Sequence, residues 1–162
     1  MKTIILVLFI LFSADMTFCQ STKWATVDYH YSKGPVSPEY QYSYNIIISK
    51  DGSGTLIYDK AGKRDEYNFR VGKKNMKKLN KSLRNSQVFE VNQDSLKSNS
   101  EMIGGPERNV TVTMWQNPDL DQKPQIITVP NSLKDEYRAD FENLFNTIEK
   151  LVPYSIYEKI NY

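Results

Sequence analysis

Few residues in this chain could do chemistry, and their spacing restricts what they could do. His30 is the single histidine, so a histidine metal cluster is excluded and any serine–histidine pair would depend on it alone. It falls on the polar side of an alternating segment, where surface placement is expected. Carboxylates pair at Asp65-Glu66, at Asp119 with Asp121, and at Asp135-Glu136. Glycosidic chemistry needs two carboxyl groups facing each other across a cleft, and neighbours in a turn or along a helix side do not supply that. Gly52-Ser53-Gly54 leads into a strand and lacks the helix and lysine of a phosphate-cradling loop. No catalytic residue, metal ligand or cofactor is assigned, and the chain reads as non-enzymatic. A hydrolase with a site around His30 is the alternative from another class.

Binding chemistry is better represented. Between Lys60 and Arg84 stand ten basic residues against Asp65 and Glu66 alone. Lys74, Lys78 and Lys81 fall on the side of a helix away from its apolar stripe, which suits an anionic envelope component such as a phospholipid headgroup, or simply a solvated face. Nucleic acid is not expected for an exported chain whose net charge is only +2. Trp24 and Trp115 fall on the polar faces of their strands and are candidates for exposed aromatic contact. The stretch Asn92 to Arg108 has no periodicity and contains Ile103-Gly104-Gly105-Pro106. With Ser32 to Glu39, a second loop rich in glycine and proline, it is the expected contact surface for a partner. Deletion of Ser95 to Met102 is expected to abolish partner capture and leave the thermal midpoint nearly unchanged.

The elements that position these residues follow from two periods. Trp24 to Tyr31 alternates, with Ala25, Val27, Tyr29 and Tyr31 on one side. Tyr40, Tyr42, Tyr44, Ile46 and Ile48 share a face of the next strand. Asp51-Gly52 marks a hairpin into Thr55 to Tyr58, and a polar turn, Asp59 to Arg64, leads to Tyr67, Phe69 and Val71. Four strands with short connections must run antiparallel. Met76, Leu79 and Leu83 then recur at helical spacing from Lys73 to Arg84, with Gly72 serving the N-terminus. Val110, Val112 and Met114 define another strand, and Ile127 and Val129 its partner. A second helix is expected from Ser132, capped with Asp135, with Tyr137, Phe141, Leu144, Phe145, Ile148 and Val152 as its buried stripe. Pro153 ends it, and Tyr154 to Ile160 forms a short terminal helix.

The first residues read as a signal peptide: Lys2, then an unbroken apolar run from Ile4 to Phe12, then Thr17-Phe18-Cys19. Cleavage after Cys19 leaves residues 20–162 as a single α+β domain, periplasmic or extracellular. A lipoprotein anchored through Cys19 is the rival reading, and it makes the chain a structural envelope component. Cys19 is the only cysteine, so the mature chain has no internal disulfide and no thiol for catalysis or metal binding. No later segment approaches the roughly 20 apolar residues of a membrane helix.

The order of these features, from the tyrosine-rich strand pair with Asp51-Gly52 through Val88-Phe89, Ile103-Gly104-Gly105-Pro106 and Ile127-Thr128-Val129-Pro130 to Leu151-Val152-Pro153, resembles an uncharacterised group of bacterial exported domains. In element order it is also similar to emfourin-type protein inhibitors of metalloproteases, a resemblance that implies inhibition and carries over no inhibitory residue. The expected architecture is a two-layer sandwich, with an antiparallel sheet of about six strands and two main helices on one face. The expected function is that of a binding module for a protein or an anionic envelope component.

Overall fold

A computed structural model describes residues 24–98, 104–114 and 123–160. The proposed signal peptide with Cys19, together with Ile103 and Trp115, lies outside the described residues. Six strands form one sheet: β1 (Trp24–Ser32), β2 (Tyr42–Ser49), β3 (Ser53–Lys60), β4 (Lys63–Arg70), β5 (Glu107–Met114) and β6 (Gln125–Val129). Their order is β4-β3-β2-β1-β5-β6, and every neighbouring pair is antiparallel. Four helices accompany them: α1 (Lys73–Asn85), α2 (Gln93–Leu96), α3 (Asp135–Glu149) and α4 (Tyr154–Ile160). The two-layer α+β architecture read from the periodicities is the one observed.

Alternation in the strands creates a single buried face, because successive side chains point to opposite sides. Val27, Tyr29, Ile46, Ile48, Leu56, Val110, Val112 and Val129 supply it, and all are fully buried. Leu79 and Leu83 of α1 and Phe141, Leu144, Phe145 and Ile148 of α3 cover it. The two helices also pack against each other. The opposite sheet face stays polar, apart from Ile47 and Ile57, which are half-buried, and Ile126, which is exposed.

Four local expectations need correction. Trp24 is 1 % exposed, with its indole N–H donating to Asn80 Oδ1 at 2.8 Å. The cause is a register shift between Trp24 and Thr26 along β5, which turns Trp24 to the same side as Ala25. Tyr40 belongs to a short 3-10 turn, Pro38–Tyr40, and stands 60 % exposed instead of extending the β2 face. Helix α3 begins at Asp135 after Lys134, with no side-chain cap, so the Ser132–Asp135 box does not form.

The fourth concerns the stretch from Asn92. Asn92 accepts from the Asp94 N–H and starts α2. Leu96 is fully buried, and Lys97 bridges to Leu133. Removing Ser95 to Met102 would therefore take out core, and the expectation of an unchanged midpoint does not hold.

Candidate functional site

The sheet end formed by the start of β2, the end of β3 and the start of β5 carries the loops singled out in the sequence, and it is built on a tyrosine ladder. Tyr31 on β1 stacks against Tyr44 at 4.8 Å and against Tyr42 at 5.8 Å, and Tyr29 leans on Phe145 of α3 at 5.7 Å. Offset and tilted rings at these separations attract beyond their area burial. The ladder is anchored by Glu149 at the end of α3. Its Oε1 accepts from the Tyr29 hydroxyl at 2.5 Å and from the Tyr44 hydroxyl at 3.2 Å. The Tyr157 hydroxyl donates to the Glu149 backbone carbonyl at 3.0 Å, tying α4 to the same point.

Electrostatics follow the geometry. Burial first, and Glu149 second, hold the phenols of Tyr29, Tyr44 and Tyr157 well above the usual tyrosine range. Tyr42 is pushed up to about 12, mostly by burial and then by the Tyr31 hydroxyl. Arg108 lies over the Tyr31 ring at 5.9 Å and pairs with Glu142 at 2.8 Å. Its Nε is buried without a hydrogen-bond partner among the described residues. Lys33 stands over Tyr42 at 5.3 Å. The ladder thus has a cation at each flank and a carboxylate at its base.

Above the ladder the two glycine-bearing loops meet. Gly34, at φ +85°, lies so close to Gly105 that a Cβ would collide with the Gly105 carbonyl oxygen. Gly104 and Gly105 hold φ values of 84° and 90°, a region glycine enters without steric cost. This contact joins the segment after β1 to the segment before β5 and leaves Val36 (38 % exposed) and Tyr40 projecting. Beside them a cleft of about 560 Å3 opens, lined by Pro38, Glu39, Gln41, Tyr42, Lys60 and Ala61 among others.

The remaining candidates lie apart from this end. Lys74, Lys78 and Lys81 are exposed on α1, as the helical period predicts. His30 sits on the polar sheet face, half-buried, with Nδ1 at 3.0 Å from Asn45 Oδ1, and the Asn45 amide donates on to Asp28 at 3.2 Å. The ring is thus oriented by an amide that a carboxylate holds in turn. Among the described residues no group of three or more histidine, cysteine or acidic side chains could hold a metal ion.

The sequence reading missed Glu149, although a signal was present. Phe141, Phe145 and Glu149 are spaced by four, so the carboxylate continues a buried row of α3 and must face the tyrosine strands. It also missed the mutual contact of Gly34 and Gly105, since nothing local reports a meeting of segments so far apart. No family model matches the chain, and none of the curated proteins matches it.

Proposed function

We propose that this chain is an exported, non-enzymatic binding module that takes a protein partner on the paired loops at the ladder end of its sheet. One observation carries the reading: two loops are held against each other through Gly34 and Gly105, and they display Val36 and Tyr40 beside a cleft. Loops fixed in advance lose little freedom on binding, so their contacts appear as affinity. An exposed tyrosine and an exposed aliphatic side chain on one short segment are the kind of anchors on which binding energy concentrates. Protease inhibition is the version that fixed, projecting loops serve best, and it agrees with the resemblance in element order to emfourin-type inhibitors. Export rests on the charged, apolar and small-residue order of residues 1–19.

The test uses purified protein against a panel of secreted metalloproteases, together with affinity capture from the native envelope. The unmodified protein should slow one protease near stoichiometric concentration. The Val36→Asp, Tyr40→Ala double variant should weaken that effect at least about tenfold, or about 1.4 kcal/mol, with an unchanged melting temperature. No inhibition across the panel sinks the inhibitor version. A captured partner bound equally by the double variant sinks the loop reading as a whole. The rival in which the exposed lysines Lys74, Lys78 and Lys81 hold an anionic envelope component predicts loss of capture on charge reversal of α1 instead. Mass spectrometry of the mature N-terminus separates a lipid-anchored structural role, through a diacylated Cys19, from release at Gln20.

A further inference from the structure

The two outer strands of the sheet are treated differently. At β6 two of the outward backbone groups are occupied: the Gln93 side-chain amide donates to the Ile126 carbonyl at 3.3 Å, and its oxygen accepts from the Thr128 N–H at 3.1 Å. One carboxamide from α2 thus fills the place of a neighbouring peptide group and blocks that edge. Among the described residues no such cover lies on β4. It is the outermost strand on the other side, eight residues long, and it pairs with β3 alone.

The backbone parity of that free edge can be worked out. Ala61 and Gly62 hold φ values of 50° and 77°, a two-residue hairpin turn that makes Lys60 and Lys63 a hydrogen-bonded pair. Alternation then directs Asp65, Tyr67 and Phe69 inward to β3, and the Val71 N–H continues this pattern by bonding to the Gly52 carbonyl at 2.8 Å. Arg64, Glu66, Asn68 and Arg70 therefore turn their N–H and C=O groups to the free edge. Their side chains are exposed on the open sheet face, while Tyr67 and Phe69 are partly buried on the other.

We infer that this edge pairs with the same edge of a second copy, antiparallel about a two-fold axis at Asn68, so that two sheets join into one. The charges select the register. With the axis at Asn68, Glu66 faces Arg70 of the second copy and Arg70 faces its Glu66, both in hydrogen-bonded positions. Tyr67 and Phe69 face each other in the closer, non-bonded positions, where side-chain contact is strongest. An axis at Tyr67 sets Arg64 against Arg70, one at Glu66 sets glutamate against glutamate, and one at Asp65 sets aspartate against aspartate. Like charges placed directly opposite repel, so opposite charges and rings coincide only at Asn68. The interface is independent of the ladder-end loops.

Sedimentation equilibrium of the purified protein, from about 1 μM to about 1 mM, should show a reversible monomer–dimer equilibrium. A monomer throughout that range overturns the inference and leaves the edge to an extended segment of some other protein. Glu66→Arg and Arg70→Glu should each weaken the dimer about tenfold or more, and the two together should restore it to within about threefold of the original. Both side chains are exposed, so circular dichroism should confirm intact folding; a double variant that stays as weak as the singles overturns the register. Asn68→Cys should form a disulfide-linked dimer on oxidation, because residues in a hydrogen-bonded pair have Cα atoms about 5.5 Å apart, within disulfide reach. Equal crosslinking by Glu66→Cys would overturn the axis at Asn68.

Discussion

The shared acceptor at the base of the ladder dictates how the fold responds to alkali. Tyr29 and Tyr44 both donate to Glu149 Oε1, and both stay protonated in the folded state well above the ordinary tyrosine value, because of burial first and the carboxylate second. In the unfolded chain they ionise near pH 10. Above that pH the unfolded state releases protons that the folded state retains, so their stabilisation is complete below about pH 10 and declines as pH rises. Each phenol removes about 1.4 kcal/mol per pH unit beyond its unfolded value. For two phenols that is about 3 kcal/mol at about pH 11, reduced to about 2 kcal/mol where solvent reaches the open side of the cluster.

Tyr29→Phe isolates one of the two. The variant should lose about 1–2 kcal/mol at neutral pH, through the missing hydrogen bond to a carboxylate. Its further loss between about pH 9 and about pH 11 should be clearly smaller than that of the unmodified protein. Urea unfolding followed by circular dichroism at both pH values measures the difference, and tyrosinate absorbance counts the phenols that have ionised. Equal alkaline losses in the two proteins would refute the shared-acceptor account.

Gly34→Ala should cost about 1–3 kcal/mol, since it places a side chain at φ +85° and against the Gly105 carbonyl; limited proteolysis should then cut the loop after β1 faster. Leu96→Ala should lower stability by about 2–5 kcal/mol in thermal or urea unfolding, as its fully buried side chain requires, and a loss below about 0.5 kcal/mol would mean that α2 is not docked. Asn80→Leu leaves the Trp24 indole N–H without its acceptor and should cost about 1–3 kcal/mol. A double-mutant cycle with Trp24→Phe should return most of that cost as coupling energy.

Strong periods were legible in the residues, and single events were not. Tyr42, Tyr44, Ile46 and Ile48 alternate with polar residues, broken only by Ile47, and β2 runs Tyr42–Ser49. Helix α3 shows its stripe equally well, with Phe141, Leu144, Phe145 and Ile148 all buried. Trp24 was misplaced because one bulge inverts a strand's facing and leaves no mark in composition. Tyr40 was misplaced because it keeps the parity of β2 although Pro38 starts a 3-10 turn. Helix α2 was invisible because four residues with one buried leucine have no period to detect. The candidate site divides in the same way: its loops were legible from glycine and proline, and Glu149 from its place in the Phe141–Phe145 row of α3, whereas the contact between the loops depends on tertiary packing.

The Gln93 plug has a consequence for how far assembly can go. A subunit with two free sheet edges has a valence of two and adds neighbours without limit, as fibrils do. With β6 stoppered by a side chain, the valence falls to one and growth terminates at a pair. Deamidation of Gln93 would exchange the donor nitrogen for an oxygen that repels the Ile126 carbonyl, so one slow chemical lesion could turn a closed assembly into an open polymer.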